Sequence, residues 1–398
     1  MLAQRLKIRK IFTTTSLPTI EVELQTRKGI VRASVPMGTS RGKHEAVTLP
    51  VDDVIRKFAI IRRHFTMKSF DNLADVDSTL HLIDKTPNFG EIGGNLALGI
   101  SSAFFKAFAL DANVELFEYA YLLKSNTSTQ TDKKLKMSLP LCNVVGGWHG
   151  QSDIQEFMFL PVKQRSFLNS AVVISKAYHK VKEELKKEDM SFSYGKNLES
   201  AWVTNLNHET ILRILTKIAN ENLLKIGLDV AASNLWDGHH YVYKHNKLIR
   251  TEQLNFIEDI ARRFPITFIE DPFEEDDFVS HAVLTQRLSG RNVIICGDDL
   301  YVTNVSRLQK GIEYKSTNAV LVKPNQIGTI TDTMKFVEKA KKHNMKTVMS
   351  HRSGTTEDTL ICHLAVGLGC DYVKFGISGE RTTKINEMIR IEEKLEGS

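Results

Sequence analysis

Six short apolar runs between Gly227 and Gly376 each end on groups that could do chemistry. IGLDVAAS carries Asp229, ITFIEDPF carries Glu270 and Asp271, and VIICGDD carries Asp298 and Asp299. AVLVKPNQ, TVMSHRS and DYVKFG follow, carrying Lys323, the pair His351 and Arg352, and Lys374. Asp229, Glu270 and Asp298, one per run, offer the hard oxygen donors that a divalent ion such as Mg²⁺ takes. Each alone reads as well as a helix cap or a partner for a lysine. Three in register point to a metal instead. Lys323 and Lys374 follow apolar residues, where an ammonium is costly unless it is paired or used. One reading pairs both with the carboxylates. The other makes a lysine a general base, its pKa lowered by a second cation and a metal. Arg352 and Ser353 in HRSG suit a phosphate or carboxylate.

The spacing says what positions these groups. From 229 through 270, 298, 323, 351 and 374 the steps are 41, 28, 25, 28 and 23 residues. That is the length of a strand, a helix and two loops, the β/α crossover repeat. Runs apolar on both faces suit buried parallel strands. Charged strand ends then converge on one rim of a barrel, where active sites of that architecture lie. Upstream, 20–25 and 30–35 alternate around TRKG as an antiparallel hairpin, and helical periodicity covers 51–65, 93–110 and 113–123. The polar stretch KSNTSTQTDKKLK (124–136) reads as a seam between an α+β part, 1–125, and the barrel part, 137–398. Strands are expected at MSLPLCNVV and SDIQEFMFLPV, with helices near 168–188 and 383–395.

The 398 residues suffice for two domains, and 42% hydrophobic with 25% charged residues is an ordinary globular balance. A net charge of +6 spread over 53 basic and 47 acidic residues contains no dense basic block, which argues against nucleic acid. Four cysteines without metal spacing read as reduced thiols. No signal-like or membrane-spanning run is visible, so a cytoplasmic protein is expected. GTSRGK (38–43) fails the spacing of a phosphate loop, and the histidines of DGHHYVYKHNK (237–247) read as solvated hairpin residues.

The chain resembles the enolases. SVPMGTSRGKHEA, GGNLALGISSAFFKA, DIQEFMFLPV, GLDVAAS, FIEDPF, GDDLYVTN, VKPNQIGT, SHRSGTTEDT, VKFG and RIEE match that family in order and span nearly the whole chain. The resemblance implies an α/β fold, with an N-terminal α+β domain capping a modified eight-stranded β/α barrel. It also implies Mg²⁺-dependent interconversion of 2-phosphoglycerate and phosphoenolpyruvate, two ions per site, and a homodimer. Carried over by position, Asp229, Glu270 and Asp298 are metal ligands and Lys323 is the base. Lys374, Arg352 and Ser353, with His351 beside them, hold substrate. Gln155 and Glu156 lie next to it. Ser40 reaches a second ion and His149 belongs to a mobile loop. The sequence departs from the family at NLESAWVTNL, where a count back from Asn-Leu puts Glu199 at the general acid. TTTSLP (13–18), SGTT, the shortened FGISGER and VGGWH depart as well. Those departures leave room for another α-hydroxy acid substrate, or for a weakly active protein kept for binding.

Overall fold

The computed structural model describes residues 1–39, 42–125, 135–147, 153–162 and 166–397. Strands β1 (Arg5–Phe12), β2 (Pro18–Thr26) and β3 (Gly29–Ser34) form an antiparallel sheet with β2 in the middle. Alternation in β2 buries Ile20, Val22 and Leu24 on one face. The other face presents Glu21 and Glu23 to Arg9 and Arg32. Helices α1 (Val51–Ile61), α2 (Leu73–Ile83), α3 (Gly94–Ala112) and α4 (Leu116–Ser125) complete this part. α3 is apolar almost all round because it lies between the sheet and the barrel. The expected hairpin is present, but β1 and α2 extend it beyond what the sequence reading contained.

Eight strands then close a barrel in chain order. They are β4 (Leu139–Gly146), β5 (Glu156–Pro161), β6 (Leu224–Asp229), β7 (Ile266–Glu270), β8 (Ile294–Gly297), β9 (Ala319–Val322), β10 (Lys346–Ser350) and β11 (Tyr372–Lys374). Neighbours are parallel except at β5, which runs antiparallel to both β4 and β6. Leu141, Met158, Leu160, Phe268, Cys296, Ala319, Leu321 and Val348 fill the lumen as one cluster. Gly227 keeps that filling possible: a Cβ there would stand 3.2 Å from Leu141 Cδ1 and 3.4 Å from Phe268 Cβ.

Helices α5 (Phe167–Glu188), α6 (His208–Asn222), α7 (Arg250–Arg263), α8 (Phe278–Leu288), α9 (Val305–Tyr314), α10 (Ile330–Lys342), α11 (Leu360–Gly367) and α12 (Thr382–Glu396) surround the strands. Several start on side-chain caps that satisfy free N–H groups: Ser166, Asn207, Asp277, Asn304 and Thr329. Cys142, Cys296, Cys362 and Cys370 are buried free thiols. No described helix is long and apolar enough to cross a membrane.

The N-terminal part grips the loop after β10. Met37 and Gly354 exchange backbone hydrogen bonds at 2.7 and 2.9 Å, and Thr14 N donates to Thr355 O at 2.9 Å. Ser34 N donates to Asp358 Oδ2, and the first turn of α10 donates to Ser101 Oγ and Asp77 Oδ2. The altered TTTSLP stretch thus still contributes to docking, through a backbone bond that tolerates any side chain.

His281 on α8 is wholly buried against the Phe273 ring. Its Nδ1 lies 2.7 Å from Asp277 O, and its Nε2 has no hydrogen-bond partner among the described residues. Burial pushes it from 6.5 down to about 4. The unfolded chain therefore binds the extra proton first as pH falls. Stability present above about 6.5 is lost toward about 4. His281→Leu should flatten urea-unfolding stability against pH in that window by up to about 1.4 kcal/mol per pH unit. An unchanged slope would contradict it.

Candidate active site

The reversed strand decides what meets at the rim. Because β5 runs backwards, its first residue, Glu156, lies at the same end of the barrel as the last residues of β6 and β7. Glu156 pairs in register with Asp229, and Asp229 with Glu270. Three carboxylates thus sit side by side on adjacent strands. Lys374, ending β11, reaches them all: its Nζ is 2.7 Å from Glu156 Oε2, 2.8 Å from Asp229 Oδ2 and 2.7 Å from Glu270 Oε2. Burial disfavours the ammonium, but Asp229, Glu156 and Glu270 outweigh it and hold Lys374 well above its ordinary value. One cation against three buried acids leaves a surplus of negative charge. Burial and then Asp229 push Glu270 up to about 8.

Asp298 follows β8 and binds Lys323 through Oδ2, while its Oδ1 accepts from Gln326 Nε2 at 3.0 Å. Lys323 N donates to Thr303 Oγ1, and Thr303 donates to Gln326, so the lysine and its carboxylate share one scaffold. Among the chain's own groups, before any metal is counted, the balance on Lys323 runs upward. Burial favours lowering, yet the Asp298 charge overrides it and holds Lys323 above its ordinary value. Asp298 in turn is penalised by burial but held low by Lys323. The pairing reading of both lysines describes this state.

Among the described residues, the acidic oxygens gathered within 4.8 Å of one another belong to Asp271, Asp298 and Asp299, not to Asp229, Glu270 and Asp298. The reason is that Lys374 draws Asp229 and Glu270 to itself. Asp271 uses both oxygens on backbone N–H groups, Oδ1 on Asp298 at 2.9 Å and Oδ2 on Asp299 at 2.7 Å. It therefore shapes the β8 turn, from a left-handed φ of 39°, and leaves few lone pairs for an ion.

The loop after β10 supplies the other wall. Arg352 NH1 lies 3.1 Å from each oxygen of Glu45, a buried contact from the N-terminal part. Ser353 Oγ accepts from Thr39 N at 3.0 Å. Gly38 lies against the Arg352 guanidinium, where a Cβ would clash. His351 is pushed from 6.5 to about 4 by burial and by Arg381, so it is neutral near pH 7. Gln155 Oε1 accepts from Asn234 Nδ2 at 3.4 Å beside the same pocket. Ser40 and His149 lie outside the described residues.

Glu199 does reach the pocket. Asn197 Oδ1 accepts the N–H groups of Glu199 and Ala201, each at 3.0 Å, which turns the loop without the family's glycines. Trp202 anchors its far end by stacking on Tyr178 and donating N–H to Val144 O. Glu199 Oε2 is 3.9 Å from His351 Nε2, and its carboxyl lies beside that of Glu156 in the pocket. Burial and the Glu199 charge push Glu156 far up, while Glu156 and His351 hold Glu199 low against its own burial. The two carboxyls influence each other's ionisation, Glu156 holding its proton more firmly than Glu199.

The pocket walls carry Glu45, Glu156, Glu199, Asp229, Asp271, Asp298 and Asp299 against Lys323, Arg352 and Lys374. Excess buried anionic charge and an all-oxygen donor set fit a hard divalent cation, with Asp229, Glu270 and Asp298 as the groups that could hold it. Glu45 and Asn197 did not emerge from the sequence reading, although Glu45 stands inside the quoted KHEA motif.

Comparison with known proteins agrees with this geometry. The family model described as "Enolase, N-terminal domain" matches residues 3–120, and "Enolase, C-terminal TIM barrel domain" matches 134–398. A protein named enolase from Methanocorpusculum labreanum is 39% identical over 97% of this chain and 98% of its own. One from Methanosphaera stadtmanae is 37% identical over 98% and 96%, and one from Archaeoglobus fulgidus 35% over 100% and 98%. With both domains matched, the eight-stranded barrel closed and the acidic rim in place, the chain belongs to the enolase family.

Proposed function

We propose that the chain is a phosphopyruvate hydratase, a lyase that interconverts 2-phosphoglycerate with phosphoenolpyruvate and water. The observation that carries this reading is one pocket lined by Lys323, by the neighbouring glutamates Glu156 and Glu199, and by Arg352 with Ser353. Arg352 and Ser353 take the phosphate, in the planar fork and hydroxyl geometry suited to it. His351 lines the same side. Lys323 Nζ removes the Cα proton once Asp298 no longer holds its ammonium. Lys374 faces the charge that develops on the substrate carboxylate. Glu199, with Glu156 beside it, protonates the 3-hydroxyl. The C–O bond then breaks, water leaves and the double bond forms. Asp229, Glu270 and Asp298 would hold a Mg²⁺ ion, with Ser40 expected to serve a second, and the metal would supply Lewis-acid charge when bound.

The same reading takes His149 and Gln155 as substrate contacts, divides the chain at 1–125 and 137–398, and makes it a cytoplasmic homodimer. Binding of an unphosphorylated hydroxy acid instead is less well supported, because Arg352 and Ser353 face the pocket from a built wall. Purified protein should form phosphoenolpyruvate from 2-phosphoglycerate with Mg²⁺ and stop on chelation. Preference for an unphosphorylated acid would move the assignment.

Lys323→Ala should lower turnover by several orders of magnitude and leave Mg²⁺ affinity by calorimetry nearly intact. Unchanged turnover would remove Lys323 from the role. Glu199→Gln should block elimination while Cα deuterium uptake into 2-phosphoglycerate continues, since the two steps use different groups. Full turnover by that variant would place the acid elsewhere.

A further inference from the structure

Arg381 has no exposed surface, yet it lies in the turn that opens α12, outside the pocket walls. Its NH1 donates to Arg352 O at 2.8 Å. Its NH2 donates to Leu198 O at 2.8 Å and to Ser353 O at 2.7 Å. One guanidinium therefore ties the loop carrying Glu199 to the loop carrying His351, Arg352 and Ser353. The surroundings reinforce this junction. Lys196 Nζ donates to Ser378 Oγ at 3.0 Å, Ser200 Oγ to Glu380 Oε2 at 3.4 Å, and a Cβ on Gly379 would stand 2.3 Å from Ser200 Oγ.

We infer that Arg381 is a positioning residue that sets the distance between the proton-donating Glu199 and the anion-holding Arg352–Ser353 wall. This rests on the proposed hydratase reading. The physical argument is that, among the described residues, the closest side-chain approach of the two loops is a loose one. Glu199 and His351 are 3.9 Å apart, too far for a firm hydrogen bond. Peptide carbonyls are held rigidly by the guanidinium fork, whose donors are fixed relative to one another. A lysine can reach a carbonyl but cannot hold three at the fork's spacing. Misplacing the acid by a fraction of an ångström harms proton delivery to the leaving hydroxyl. Proton removal by Lys323, on the far scaffold of β9, is left largely untouched.

The test compares Arg381→Lys and Arg381→Met with wild type in the full chain with Mg²⁺. Lys384→Met is the control: Lys384 is also buried on α12, and its Nζ donates to Thr356 O. Elimination is followed as phosphoenolpyruvate formation, and proton removal as deuterium uptake at Cα of 2-phosphoglycerate. Each Arg381 variant should lose about 100-fold or more in elimination but less than about 10-fold in exchange, whereas Lys384→Met keeps the ratio. Amide hydrogen exchange should quicken in both 197–203 and 351–356. Equal loss of both steps, or an unchanged ratio, overturns the inference. If wild type neither exchanges nor eliminates, the hydratase reading fails instead. The amide exchange then decides alone, and protection unchanged in either segment overturns the coupling. Should Arg381→Met not fold, the lysine variant carries the same comparison.

Discussion

The structure depends on one ammonium. Lys374 ends β11, crosses the barrel mouth and meets Glu156, Asp229 and Glu270 at 2.7–2.8 Å. Without it three buried carboxylates on adjacent strands would repel one another in a medium where charge is poorly screened. With it they are held together at a rim that remains short of positive charge. That shortage is functional in its direction. Together with burial, which acts most strongly, it pushes Glu270 up to about 8, and a divalent cation bound there would stabilise the rim.

The same constraint explains the reversed strand. Run parallel, β5 would bring Pro161 to this rim and carry Glu156 to the opposite mouth. Run antiparallel, it places Glu156 beside Asp229, where Lys374 and Glu199 both reach it. A second constraint works from outside the barrel. Glu45 and Thr39 come from the N-terminal part and engage Arg352 and Ser353. The Arg352–Ser353 wall of the pocket is therefore built from both parts of the chain, and how they dock sets its position.

How much of this was readable in the sequence depended on the range of the interaction. Charged ends of apolar runs recur at crossover spacing, so Asp229, Glu270, Asp298, Lys323 and Lys374 could be assigned to one rim from local pattern alone. Who pairs with whom could not. The spacing suggested an ion held by Asp229, Glu270 and Asp298, and gave no sign that Lys323 and Lys374 also reach those carboxylates. Glu45 lies 307 residues from Arg352, and no period connects them. Arg381 acts only on backbone carbonyls, so its partners leave no signature in residue type. β1 was hidden because RLKIRKIF carries charges on a sheet face that pairs them with Glu21 and Glu23. Glu199 was placed by counting alone, and Asn197, two residues earlier, supplies the turn that the missing glycines would have made.

The measurement that bears most directly on this account is the stability of Lys374→Met against pH. Breaking a buried pair by removing one partner costs about 3–5 kcal/mol. Urea unfolding near pH 7 should show a loss of that order relative to wild type. The loss should shrink as pH falls, because the stranded carboxylates of Glu156 and Glu270, already raised by burial, take up protons in the folded state before the unfolded one. A variant as stable as wild type near pH 7, or one whose deficit is the same at every pH, would contradict the claim that this ammonium holds the rim together.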